Sequence, residues 1–204
     1  MFRLLHPSDT ALDSIVVSCA ERAPNHPVLE SVDLAAPPAG FQFDNCGTEL
    51  GRGEEVWLAA RAALDARAMY PPVWTSVHTA SELLVPGAAL VSVVRHFGFH
   101  SVLPGRVCEV FDDTGPVHRY GFAFLTLEGH PEQGRERFAV SWDQATDVVR
   151  YDITSISRPI GLARLATPIA RSLQARFRRD SFASMIRATA HHRRGALGTG
   201  EERR

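Results

Sequence analysis

The chain has 204 residues, 45% of them hydrophobic and 22% charged, with a formal net charge of −1. That balance excludes a disordered chain and gives no global pull toward nucleic acid or an anionic membrane. No stretch approaches the ~18 consecutive apolar residues of a membrane span, and no signal peptide is visible, so a cytoplasmic protein built on one main domain is expected. Ser8 is placed to cap a first helix over Asp9–Ala23, in which Leu12, Ile15, Val16 and Cys19 recur at helical spacing; Pro24 and Pro27 end it. A linker is expected over Leu34–Gly40 and a first strand over Phe41–Leu50. Gly51-Arg52-Gly53 breaks that strand and opens a second helix, about Glu54–Ala68, with Val56, Ala59, Ala60, Ala63 and Leu64 as its apolar stripe. From Val73 the period becomes two. Strands are expected near Val73–Thr79, Ala88–Phe97, Val102–Phe111, His118–Leu127, Arg135–Trp142 and Asp147–Ser157, separated by Gly-, Pro- and Asp-rich turns. Pro104 places the start of the third of these at Arg106, or a bulge within it. A last helix is expected from Pro159 to about Arg187, with Leu162, Leu165, Ile169, Leu173 and Phe177 on its packing face and Pro168 kinking it unless it begins there.

This order of elements predicts an α+β fold: a curved antiparallel sheet wrapped around a long C-terminal helix, the helix-grip arrangement, with an extra N-terminal helix. Residues 1–34 are expected to form an N-terminal helical segment packed on the domain, 35–187 the domain itself, and 188–204 a disordered tail. A sheet gripping a helix leaves room for a cavity between them, a natural ligand site.

The run from Tyr120 to Phe138, with Gly121-Phe122 in its strand and Gly129-His130-Pro131-Glu132-Gln133-Gly134 in its turn, resembles the DUF1990 family. Leu50-Gly51-Arg52-Gly53, Arg106-Val107, Ser157-Arg158-Pro159 and Gln174 resemble it as well, and together these pieces span Gly40 to about Ile186. The resemblance implies a START-like fold and no particular activity. Two positions depart from the family pattern. Leu125 stands where a Gly is usual, and Arg135 where the first of two Glu is usual, which removes one carboxylate from the loop.

The loop Glu128–Gly134 is the densest polar feature. His130 beside Glu132 and Glu136 has the composition of an acid–base or ligand-anchoring group, and equally that of a rigid hairpin. The phase of Phe138 and Val140 turns Glu136 inward, where a carboxylate needs a partner; Arg106, Arg158 and Tyr120 are the candidates. His96 and His100 flank a strand turn and do not share a helical face, so no metal site is expected. Cys19, Cys46 and Cys108 are odd in number and widely spaced, which disfavours a disulfide framework; Cys108 is expected in the core. The row Arg164, Arg171, Arg178 is expected on the outer face of the last helix.

The leading expectation is a binding module, not an enzyme, that holds a small hydrophobic or amphipathic molecule without a cofactor. Tyr120, Phe122, Phe124, Tyr151, Ile169 and Leu173 are expected to line the site with Val140, Val149 and Ile153. Thr126, His130 and Glu136 are expected to supply the polar contacts. The alternatives are an enzyme on the same scaffold, with His130 and Glu136 as acid and base, or a closed core that binds a partner protein through the Arg-rich helix.

Overall fold

The computed structural model describes residues 2–30, 36–80 and 84–201, with Phe2, Leu162 and 193–201 as backbone alone. Strand β1 is Phe2–Arg3 and helix α1 Asp9–Cys19, capped by Ser8, whose hydroxyl accepts the Ala11 N–H. β2 is Gln42–Arg52 and α2 Glu54–Asp65. Then come β3 Thr75–Thr79, β4 Ala89–His96, β5 Phe99–Asp113, β6 Val117–Thr126, β7 Glu132–Asp143 and β8 Val148–Pro159. A 3-10 segment, Gly161–Ala166, leads into α3, Thr167–Glu201.

The strands form one antiparallel sheet in the order β2-β8-β7-β6-β5-β4-β3, with β1 added beside the start of β5. Its two faces bury two separate cores. On the outer face, Leu12, Val16 and Cys19 of α1, with Leu29, pack on Val91, Val93, Val102, Leu125, Leu127 and Ile156. On the inner face, α2 and α3 cover Val107, Phe122, Phe138, Val140, Tyr151 and Ile153. α2 meets the sheet with the apolar stripe read from its sequence, all buried, and adds Trp57. The START-like helix-grip fold is thus present, with α1 on the convex side.

The boundaries differ from expectation for local reasons. β5 does not begin at Arg106: it runs unbroken through Pro104, which lies opposite Val91 where the pairing with β1 gives way to pairing with β6. The bulge falls past Pro104, between Val107 and Glu109. Gly51 and Arg52 stay in β2 around a register shift, and Gly53 alone caps α2. Pro159 ends β8; it does not start a helix, and Pro168 falls in the first turn of α3, where it removes no helical hydrogen bond. The helix continues past Ala188, where a disordered tail was expected, because Ala188 still packs on the inner core and Thr189 is 2% exposed. Residues 34–35 of the expected linker lie outside the described residues.

Candidate functional site

Residues directly opposite one another across antiparallel strands share a face, so the registers read out the inner surface row by row. One row crosses Cys46, Ile153, Phe138 and Phe122. The next crosses Asp44, Ser155, Glu136 and Phe124, and the one after it Gln42, Ser157 and Gly134. The sheet is therefore apolar in its middle and polar toward the start of β7. Aromatic rings fill the middle: Phe138 has Phe122, Phe124, Tyr70 and Phe177 around it at centroid distances of 5.5, 6.2, 5.8 and 6.2 Å. This packing occupies the space that the sequence reading reserved for a cavity.

α3 presents two different stripes to these two zones. Phe177, Ser181, Met185 and Ala188 recur at helical spacing over the aromatic middle, where the Tyr151 and Ser181 hydroxyls hydrogen-bond at 2.9 Å. Arg171, Gln174 and Arg178, at i, i+3 and i+7, lie over the polar end. Gln174 Nε2 donates to both carboxylate oxygens of Glu132 at 3.1 and 3.0 Å and its Oε1 accepts from Arg171 Nη1 at 2.9 Å. Arg178 and Arg171 approach Asp44 Oδ2 at 3.5 and 3.9 Å, and Gln42 donates to the same oxygen.

Three carboxylates thus share one end of the sheet–helix interface with two guanidinium groups. Glu136 is the outlier: no hydrogen bond reaches its carboxylate among the described residues. Burial, reinforced by neighbouring Glu132 and opposed by Arg178, pushes its pKa up to about 7. Glu132 is also raised by burial, against the pull of Arg171 and Gln174. The hydroxyl of Tyr70 lies in the same region and is buried without a hydrogen-bond partner; Ser92 acts on it without meeting hydrogen-bond geometry.

The inward phase of Glu136 is as expected, but none of the three candidate partners reaches it. Arg106 points to the outer face and donates to the carbonyls of Cys19, Ala20 and Arg22 at the end of α1. Arg158 bonds Gln133 and stacks on Phe41. Tyr120 lies at the far end of the inner face, its hydroxyl donating to Asp65 and its ring under Arg61. Arg178 supplies the cation instead. The Arg row is likewise corrected: Arg164 is exposed, whereas Arg171 and Arg178 turn inward because α3 starts later and is rotated relative to the expected stripe. Leu165 and Ile169, assigned to the packing face, are 84% and 49% exposed; Leu173 is partly buried, and Leu162 lies outside the described residues.

The loop around His130 is tied down by its backbone. Gly129 takes φ 93, a left-handed conformation that side chains disfavour, and His130 N–H closes the turn onto Leu127 O. His130 Nδ1 accepts the Glu132 N–H at 3.0 Å, and burial lowers the pKa of the ring to about 4, so the imidazole is neutral near pH 7. Asn25 links this loop to the end of α1, bonding Thr126 Oγ1 at 2.7 Å and Glu132 O at 2.8 Å. Thr126 and His130 therefore hold the loop, and only Glu132 carries it into the polar cluster. Of the expected lining, Phe122, Val140, Val149, Tyr151 and Ile153 are buried core.

Asp44, Arg171 and Arg178 were not expected at this site. Two signals for them exist in the sequence. Gln42, Asp44 and Cys46 alternate on one strand face, and Arg171, Gln174 and Arg178 share one helical face.

Among the described residues no helix is long and apolar enough to cross a membrane. Comparison with known proteins agrees with this fold. The crystal structure of Ara h 8.0201 superposes with a TM-score of 0.51 at 10% identity, over 74% of this chain and 99% of that one, which supports the fold alone. A UPF0548 protein of Deinococcus radiodurans is 30% identical over 199 residues, covering 92% of this chain and 98% of the relative. Another, from Dictyostelium discoideum, is 27% identical and covers 78% of each chain. The sequence pattern of a domain of unknown function, DUF1990, matches residues 26–184, and on that match the chain belongs to the DUF1990 family.

Proposed function

We propose that the protein is a binding module for a small amphipathic molecule, taken up at the polar end of the sheet–helix interface. The observation that carries this reading is the Glu136 carboxylate, partly exposed and without a hydrogen bond among the described residues, beside the buried Tyr70 hydroxyl that has no hydrogen-bond partner. Buried polar groups are nearly always hydrogen-bonded, so the Tyr70 hydroxyl calls for a partner, and the carboxylate of Glu136 nearby is open to one. A ligand hydroxyl or amine would donate to Glu136, while its apolar part would lie against Phe124 and the exposed Ile169 at the start of α3. Native mass spectrometry of the freshly purified protein tests this, followed by titration with long-chain alcohols and amines. A bound mass, or saturable binding, that is lost in the double variant Glu136→Leu, Tyr70→Phe supports it. A chain that is ligand-free throughout, or that binds regardless of the substitutions, overturns it.

The position of Glu136 favours one second reading. A carboxyl group with a pKa of about 7 is matched to proton transfer near neutrality, so the same cluster would serve as general acid or base toward a bound molecule. Chemical turnover of the ligand, abolished by Glu136→Gln while binding persists, separates this reading from simple binding.

A further inference from the structure

A second polar site lies away from this interface, at the turn between β4 and β5. The two strands are joined by Phe97 and Gly98 with φ of 47 and 79, the left-handed pair of a tight hairpin. That turn sets Arg95 directly opposite His100, and β1 sets Arg3 opposite His100 on its other side. Placing basic residues opposite one another on neighbouring strands is unfavourable unless something neutralises them. Among the described residues Arg95 has no carboxylate partner. His100 Nδ1 is buried without a hydrogen bond, while His6 packs edge-on to its ring at 5.3 Å.

These groups line a recess of about 330 Å³ formed by Trp74, Arg95, His96, His100 and Arg176 with the Phe97–Gly98 turn. An adjoining recess of about 270 Å³ shares Trp74, Arg95 and His100 and adds His6 and Ser76. Neither lining contains a carboxylate. Arg176 is held over the Trp74 ring at 4.4 Å, and Asp180 fixes both by accepting from Arg176 Nε at 3.4 Å and Trp74 Nε1 at 3.1 Å. One guanidinium is thus immobilised at the rim and the other is unpaired.

We propose that this recess binds a phosphate group, either on a soluble phosphate compound or presented by a lipid. The Arg95 and Arg176 guanidinium groups and the unpartnered His100 Nδ1 converge on the recess from several directions, which suits a tetrahedral dianion. The volume exceeds that of bare phosphate and leaves room for an attached organic part. The lipid source is the reason for a vesicle experiment: Phe97 is 74% exposed at the hairpin tip, and Leu4 and Leu5, in the bend that follows β1, are 73% and 81% exposed.

The test uses the full chain in two arms. In the first, inorganic phosphate is titrated while the His100 ring and Trp74 indole NMR signals are followed. In the second, vesicles of phosphatidylcholine with and without phosphatidic acid are co-sedimented with the protein. Saturable shifts in the first arm identify a soluble phosphate compound as the source. Retention only on vesicles containing phosphatidic acid identifies a lipid. In either case Arg95→Ala should weaken binding by about tenfold or more and Arg95→Lys should restore part of it, since one charge-assisted contact is lost and then partly replaced. Arg95 is exposed, so both variants should melt like the parent. Absence of binding in both arms, or binding that Arg95→Ala leaves unchanged, overturns the proposal.

Discussion

Glu136 and His130 titrate in opposite senses, and together they shape the pH dependence of stability. Burial raises the folded pKa of Glu136 from 4.5 to about 7, so the folded state favours its neutral form. Stability from this group is present below about pH 4.5 and is lost as pH rises through 7. Burial lowers the folded pKa of His130 from 6.5 to about 4, so the stability tied to its neutral ring is present above pH 6.5 and is lost as pH falls through 4. Glu136→Gln should therefore stabilise the protein at pH 8, by up to about 3 kcal/mol on the scale of 1.36 kcal/mol per pKa unit. The gain should shrink to less than about 1 kcal/mol at pH 5, where wild-type Glu136 is already mostly protonated in the fold. Urea denaturation at the two pH values checks this, and an equal effect at both would show that Glu136 titrates normally. His130→Ala removes the acceptor of the Glu132 N–H and should cost about 1–2 kcal/mol at pH 7. It should also flatten the acid limb of the wild-type stability profile; an unchanged acid limb would place the titration elsewhere.

Arg106 shows how a side chain assigned to one element serves another. Its guanidinium fans across the carbonyls of Cys19, Ala20 and Arg22, the groups that the end of α1 leaves without helical partners, and its charge complements the negative end of the helix. Arg106→Met keeps much of the apolar stem and should cost about 2–3 kcal/mol, the range of hydrogen bonds to charged groups. Hydrogen exchange should quicken in α1 and leave α2 unchanged; protection lost equally in both would mean that Arg106 stabilises the whole fold and not the end of one helix. Alternation along β5 contained the orientation of Arg106: Val107 lies in the inner core, so its neighbour faces out. The same period-two reading placed Glu136 correctly. The partners of Glu136 were less legible, because they depend on which strands are neighbours and on the rotation of α3. The run Leu165, Ile169, Leu173, Phe177 and the run Phe177, Ser181, Met185 both fit a helix face. The 3-10 segment Gly161–Ala166 shifts the start of α3 and makes the second the packing face. Nothing local to Arg171 or Arg178 records that shift. The polar loop was legible as a feature, but its role was not, since the bonds that hold it come from Asn25, about a hundred residues earlier in the chain.

The sheet has two covered faces, and this decides how the chain behaves when its N-terminal part is removed. The family match begins at residue 26, which invites treating the preceding segment as an appendage. The packing says otherwise. Leu12, Val16 and Cys19 are 0%, 4% and 0% exposed against Val91, Val93, Val102, Leu125 and Ile156. Fully burying one such aliphatic side chain contributes about 1.5–3 kcal/mol, so Leu12 and Val16 alone, before the sheet residues they cover are counted, approach the low end of the 5–15 kcal/mol net stability of a typical domain. Removal of α1 would also uncover a contiguous aliphatic surface of a kind that monomeric proteins rarely expose. It would take away Arg22 and Asn25 as well, and with them the bonds to Glu128 O, Glu132 O and Thr126 that brace the loop leading into the polar cluster. A chain beginning at residue 26 should therefore aggregate or associate on size-exclusion chromatography with light scattering, and bind the dye ANS strongly. Its loss should be seen at both faces: a less cooperative melt, and an altered environment for Glu132 and Gln174 on the inner side. A shortened chain that stays monomeric with the melting temperature of the parent would show that α1 is dispensable and that the inner core alone maintains the sheet.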